Sequence, residues 1–96
     1  MDDEYLARVF FDSFDFLSRM IYPAKDLVKP LADFLREKYD LKGAAAEILA
    51  VKISIRAIFS GNGGSLIEND EEGFILRKNV DLGNAVKIAF EDMKAI

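Results

Sequence analysis

The 96-residue chain has no cysteine and no histidine, and threonine, glutamine and tryptophan are missing as well. Without cysteine there can be neither a disulfide nor a thiolate metal site. Without histidine the commonest general base and the commonest transition-metal ligand are gone. The serines at positions 13, 18, 54, 60 and 65 therefore have no imidazole to activate them. An enzyme would have to work with Asp, Glu, Lys or Tyr, and no constellation of these stands out. The reading is of a non-enzymatic protein with no cofactor and no bound metal. No apolar run approaches the ~18 residues that span a bilayer. The opening "MDDEYL" carries three acids where a secretory or transit segment carries positive charge. The expected location is the cytoplasm, with no membrane partner. The lack of Cys and Gln beside abundant Ile, Lys and acids fits a thermophilic source.

What is present is a heavy apolar load. Hydrophobic residues make up 51% of the sequence, with eight Phe among them. The length allows one domain, residues 1–96, with no room for a second core. A chain of this size buries only about 60–65% of the surface that its unfolded form exposes. Either the core is unusually dense or part of the load is buried against another chain, and the second is the expectation. The net charge of −4 is unevenly spread. Residues 1–22 carry two basic and five acidic side chains, residues 23–60 seven and five, and residues 61–96 four and seven. An acidic protein with a mildly basic middle is a poor nucleic-acid ligand.

"DEYLARVFFDSFDFLSRMIY" (3–22) reads as a helix. Arg8, Asp12, Asp15 and Arg19 fall in a polar stripe about 60° wide, spaced for Arg8–Asp12 and Asp15–Arg19 pairs. Leu6, Val9, Phe10, Phe14, Phe16, Leu17, Met20 and Ile21 cover roughly 200° of the wheel, twice the usual apolar stripe. "PAKDLVKPLADFLREKYDLKG" keeps one apolar face through Leu27, Val28, Leu31, Phe34, Leu35 and Tyr39. It reads as one helix starting at Pro23, bent at Pro30 and ending near Leu41, with Gly43 at the left-handed cap. The alternative is a short turn followed by a helix beginning at Pro30. In "AVKISIRAIFS" Val51, Ile53, Ile55, Ala57 and Phe59 alternate with Lys52, Ser54 and Arg56. That period of two predicts a strand over 49–60, preceded by a short helical lead-in over 44–48, because on a helical wheel these residues smear around every side. "SGNGG" turns the chain. "SLIEN" and "GFILRKN" then form a hairpin, and "DLGNAVKIAFEDMKAI" a helix capped by Asp81, with Ile96 on its docked apolar face. The predicted fold is α+β, in the order α-α-β-β-β-α. Two N-terminal helices, a three-stranded antiparallel meander and a C-terminal helix make it up, with helices on one sheet face.

Several candidate sites can be weighed on these elements. "ENDEEGFILRKN" resembles a calcium loop at Glu68, Asp70, Glu72, Gly73 and Ile75, but puts Asn79 where a bidentate Glu must stand, and its flanks alternate like strands. An acidic hairpin tip explains it better. The glycines of "SGNGGS" are followed by a strand and no Lys, so they suit a loop better than a phosphate cradle. Asp12 and Asp15, one turn apart, have Arg partners that favour a solvated stripe over acid–base work. The aromatic run on the first helix suggests a homodimer or protein-partner interface at Phe10, Phe11, Phe14, Leu17 and Ile21. A second reading is a small-molecule sensor with an apolar pocket of Phe10, Phe14, Tyr22 and Tyr39 between helices and sheet. A third is a weak winged-helix-like nucleic-acid binder using Lys25, Lys29, Lys52 and Arg56. Asp33, Asp40 and the acidic "NDEEG" wing oppose it.

Overall fold

A computed structural model describes residues 2–59 and 65–94 of the chain. Four helices and one hairpin follow in the order α1 (Asp3–Ser18), α2 (Val28–Tyr39), α3 (Ala44–Phe59), β1 (Ile67–Asp70), β2 (Gly73–Leu76) and α4 (Leu82–Lys94). The fold is a compact α+β domain with a two-stranded antiparallel sheet. Among the described residues the expected three-stranded meander is not formed, because residues 49–59 of the predicted strand lie within α3. The glycine-rich turn at 60–64 and the docking of Ile96 lie outside the described residues.

The physical reason for the third helix is in its own sequence. Ala44, Ala45, Ala46, Glu47, Leu49, Ala50 and Ala57 are strong helix formers, and no Gly, Pro, Asn or Asp interrupts residues 44–59. A run without a breaker continues the helix begun by its first turn, since extending a helix costs far less than starting one. The β-branched residues lower the propensity by a few tenths of a kcal/mol each, too little to stop it. Ala46, Ala50, Ile53, Ser54 and Ala57 form the buried face, whose small side chains let α3 lie close against α2.

The other helices start and stop by recognisable chemistry. Asp2 caps α1, its carboxylate accepting from the Tyr5 N–H at 2.8 Å, and Asp81 caps α4 by accepting from Asn84 N–H at 3.2 Å. Helix α1 stops at Ser18, short of the expected end at Tyr22. Pro23 is not a first helical residue. It follows a cis peptide bond from Tyr22, in a connecting segment that reaches α2 only at Val28. Pro30 falls in the first turn of α2, where an N–H has no intrahelical acceptor to lose, so no bent helix is needed. The left-handed position after α2 belongs to Asp40, with φ of 54°, ahead of the expected Gly43, which is also left-handed at 57°.

The hairpin pairs Ile67 with Leu76 and Asp70 with Gly73. Its tip is Glu71–Glu72, and the Asp70 carboxylate accepts from the Glu72 N–H at 2.8 Å. The calcium-like segment is therefore strand and turn, flanked as its alternation implied. Among the described residues no three acidic side chains converge as metal ligands would. The connecting segment adds one rung beyond β2: Ala24 N–H donates to the Phe74 carbonyl at 2.9 Å, and Phe74 N–H to the Ala24 carbonyl at 2.8 Å. Gly73 sits against this rung at φ of 127°, and a Cβ there would lie 2.5 Å from the Ala24 oxygen. Val9, Phe10, Phe14 and Leu17 of α1, Leu31 and Leu35 of α2, Ile53 of α3, Ile67 of β1 and Ala89 of α4 meet in one core. No described helix is long and apolar enough to cross a membrane.

Candidate interaction surface

Helix α3 carries apolar residues on two opposite faces. The first is the buried Ala46–Ala50–Ile53–Ala57 face. The second runs along the outside through Ile48 (56% exposed), Val51 (40%), Ile55 (44%) and Phe59 (72%). These four follow at i, i+3, i+7 and i+11, which keeps them within a stripe about 80° wide. Their exposed area is roughly 400 Å², the size of the largest patch on an ordinary monomer and of the kind that is often functional.

The two edges of this stripe differ in charge. On one edge, in the first turn of α3, stands Glu47, whose Oε1 accepts from Arg36 Nη2 at 3.1 Å. Arg36 also reaches Asp33 at 3.1 Å and the Gly43 carbonyl at 3.2 Å, fixing the start of α3 to α2. On the other edge are Lys52 and Arg56, which with Ile55 and Met93 of α4 line a groove of about 360 Å³. At the far end Phe59, with Ile58, borders a second groove against Ile67 and Phe74 of the hairpin.

The expected α1 interface is divided by the fold. Phe10, Phe14 and Leu17 have no exposed surface and belong to the core of their own chain. The Phe10 ring stands edge-on to Phe90 of α4 at 5.7 Å. Only Phe11 (47%) and Ile21 (90%) of the five remain at the surface. The wide arc is filled within the chain, because α1 touches α2, α3 and α4. The candidate pocket residues are not gathered around one cavity. Phe10 and Phe14 are packed inside, Tyr22 donates to the Leu17 carbonyl, and Tyr39 donates to Asp12. Of the candidate phosphate contacts, Lys25 donates to the Glu72 carbonyl at 2.8 Å and Lys29 pairs with Asp33 at 3.8 Å. Lys52 and Arg56 project from α3, one turn apart.

Titratable groups also converge in the cleft between α1 and α2. Asp12 pairs with Lys38 at 3.3 Å, and Asp15 with Arg19 at 3.3 Å. The Arg8–Asp12 pair expected along α1 thus gives way to one between helices. Phe16 and Phe34 stack at 4.6 Å under the cleft, and the Lys38 ammonium lies 5.8 Å from the Phe34 ring centre. Burial, and then the hydrogen bond and charge of Asp12, push Tyr39 up to about 12. Burial alone pushes Tyr22 to about 12. The Tyr39 phenol thus keeps its proton at neutral pH, and the Asp12 carboxylate is engaged by both Tyr39 and Lys38. The cluster ties α1 to α2 through Tyr39–Asp12, Lys38–Asp12 and the Phe16–Phe34 stack.

Comparison with protein-family models, curated proteins and solved structures gives no match. The functional reading rests on this geometry. Sequence reasoning passed over Ile48, Val51, Ile55 and Phe59 as surface residues. The signal was there: residues that smear around a helical wheel leave some apolar groups outside whichever face is buried.

Proposed function

We propose that this protein is a non-enzymatic interaction module that associates with a second copy of itself through the outer face of α3. The carrying observation is the Ile48–Val51–Ile55–Phe59 stripe, apolar over the length of a 16-residue helix. Its edges favour a second copy as the occupant. With acid on one edge and base on the other, the surface is complementary to itself in charge as well as in apolar character. About 400 Å² per chain gives roughly 800 Å² in total, below the standard protein interface, so the dimer is a weak one formed in the micromolar range or above. The proposed homodimer thus uses α3 and not the α1 face that the sequence pattern suggests.

Sedimentation velocity over a concentration series tests this. The wild type should shift from monomer to dimer with rising concentration. Ile55→Glu, which places a charge mid-stripe, should stay monomeric with an unchanged helical circular dichroism spectrum. A wild type that remains monomeric up to about 100 μM sinks the proposal.

A further inference from the structure

We infer that the two copies of α3 lie parallel, related by a two-fold axis along the helices, with Glu47 of each chain facing Lys52 of the other. This rests on the self-association proposed above and adds its orientation. In heptad terms Ile48 and Ile55 occupy a positions, Val51 a d position, Glu47 a g position and Lys52 the following e position. Two parallel helices bring the g edge of one against the e edge of the other, five residues further on. Glu47 and the partner's Lys52 have that spacing, and the symmetry makes the pair twice. Two antiparallel helices related by a two-fold axis instead oppose identical edges. Lys52 would then face the partner's own e edge and could not reach the partner's Glu47.

Other features agree with this arrangement. Among the described residues Lys52 makes no ion pair within its own chain. Glu47 is held in place by Arg36 through Oε1, and its carboxylate side chain is 64% exposed. The partner's Lys52 would take Oε2 of a group already oriented.

The absence of native cysteine makes the test direct. Single substitutions Ile48→Cys and Ile55→Cys are made in the full chain and oxidised at concentrations where sedimentation shows dimer. Ile21→Cys, at the most exposed large apolar residue and away from the stripe, is the control. A parallel pair sets each position beside its own copy, so both stripe variants should form a disulfide-linked dimer far more than the control. An antiparallel pair can bring at most one of them opposite itself, because the other is then about 20 Å from its copy along the axis. Cross-linking at one position only, or at neither, in a protein that sediments as a dimer overturns the parallel arrangement alone. Preferential cross-linking at position 21, or sedimentation as a trimer or larger, overturns the α3 pairing. A monomer at every concentration overturns the self-association beneath it.

Discussion

Phe10→Ala tests whether the aromatic run on α1 belongs to the core or to a subunit contact. Phe10 is fully buried, stands edge-on to Phe90 at 5.7 Å and lies beside Phe14 at 6.4 Å. Truncating a buried Phe to Ala removes its transfer free energy and leaves a cavity, together about 3–5 kcal/mol. The edge-to-face pair adds about 1 kcal/mol to what area alone implies, which places the loss in the upper half of that range. A chain of this length has a total stability of about 5–14 kcal/mol, so the substitution takes roughly 30% or more of it. Because the ring lies inside its own chain, that loss must not depend on protein concentration. At a subunit contact it would: a 100-fold dilution changes the apparent stability of an associating state by about 2.7 kcal/mol. Urea unfolding of wild type and variant, each at two concentrations 100-fold apart, reads both quantities. The expected result is a much lower midpoint with an unchanged slope, and a difference from wild type that is equal at the two concentrations. Phe10→Leu, costing about 1 kcal/mol, provides a graded companion should the alanine variant be mostly unfolded. A loss below about 1 kcal/mol for Phe10→Ala, or one that appears only on dilution, would refute the placement of α1.

Three further outcomes follow from the same coordinates. Among the described residues the buried Ser54 hydroxyl of α3 has no hydrogen-bond partner, so Ser54→Ala should raise stability by about 1 kcal/mol and the melting temperature by several degrees; a lower melting temperature counts against the site as described. Gly73→Ala should cost at least about 2 kcal/mol, because its φ is positive and the Cβ would strike the Ala24 carbonyl, which is fixed by Phe74. Near-wild-type stability in thermal melts would contradict that rung. Tyr22 and Tyr39 keep their protons to about pH 12 in the fold, whereas unfolded tyrosine ionises near 10. The folded state thus binds more protons between those values, and stability, fully present below pH 10, should fall as pH rises toward 12. Phenolate absorbance titration and alkaline unfolding of Tyr22→Phe and Tyr39→Phe should show that fall reduced, and an unchanged alkaline limb would contradict it.

The parts of the fold that were legible in the sequence are those where one short-range rule acts without competition. The i,i+4 charge stripe marked α1, the side chain of Asp81 marked the start of α4, and the alternation around Gly73 marked the hairpin. Where two rules competed, the weaker was followed. Residues 49–59 alternate like a strand, but Ala44–Ala46 had already begun a helix and nothing ended it. Pro23 suits a helix start as well as it suits a turn, and the contact between Ala24 and Phe74, 50 residues away, decides between them. No local pattern carries that information. The candidate site suffered most, since a strand of 49–60 would have placed Ile53, Ile55 and Phe59 on one sheet face. The helix instead sends Ile53 inward and Ile55 and Phe59 outward.

The alternation that misleads about α3 also bears on its use. A helix packed on one side needs an apolar stripe of about 100°, and Ala46, Ala50, Ile53 and Ala57 supply it. Ile48, Val51 and Ile55 lie off that face and remain 56%, 40% and 44% exposed, and as β-branched residues in exposed helix positions they are poorer helix formers than the Lys or Glu that usually stand there. For a chain on its own these three are a small cost in stability and a larger one in solubility. Buried against a second α3, each recovers part of the 1.5–3 kcal/mol that covering such a side chain is worth, to order of magnitude. One substitution should therefore act in opposite directions on the two states. Ile55→Glu should leave the isolated fold as stable as before, or slightly more so, while removing the proposed association. A residue needed by the monomer's own core, such as Phe10, cannot show that divergence.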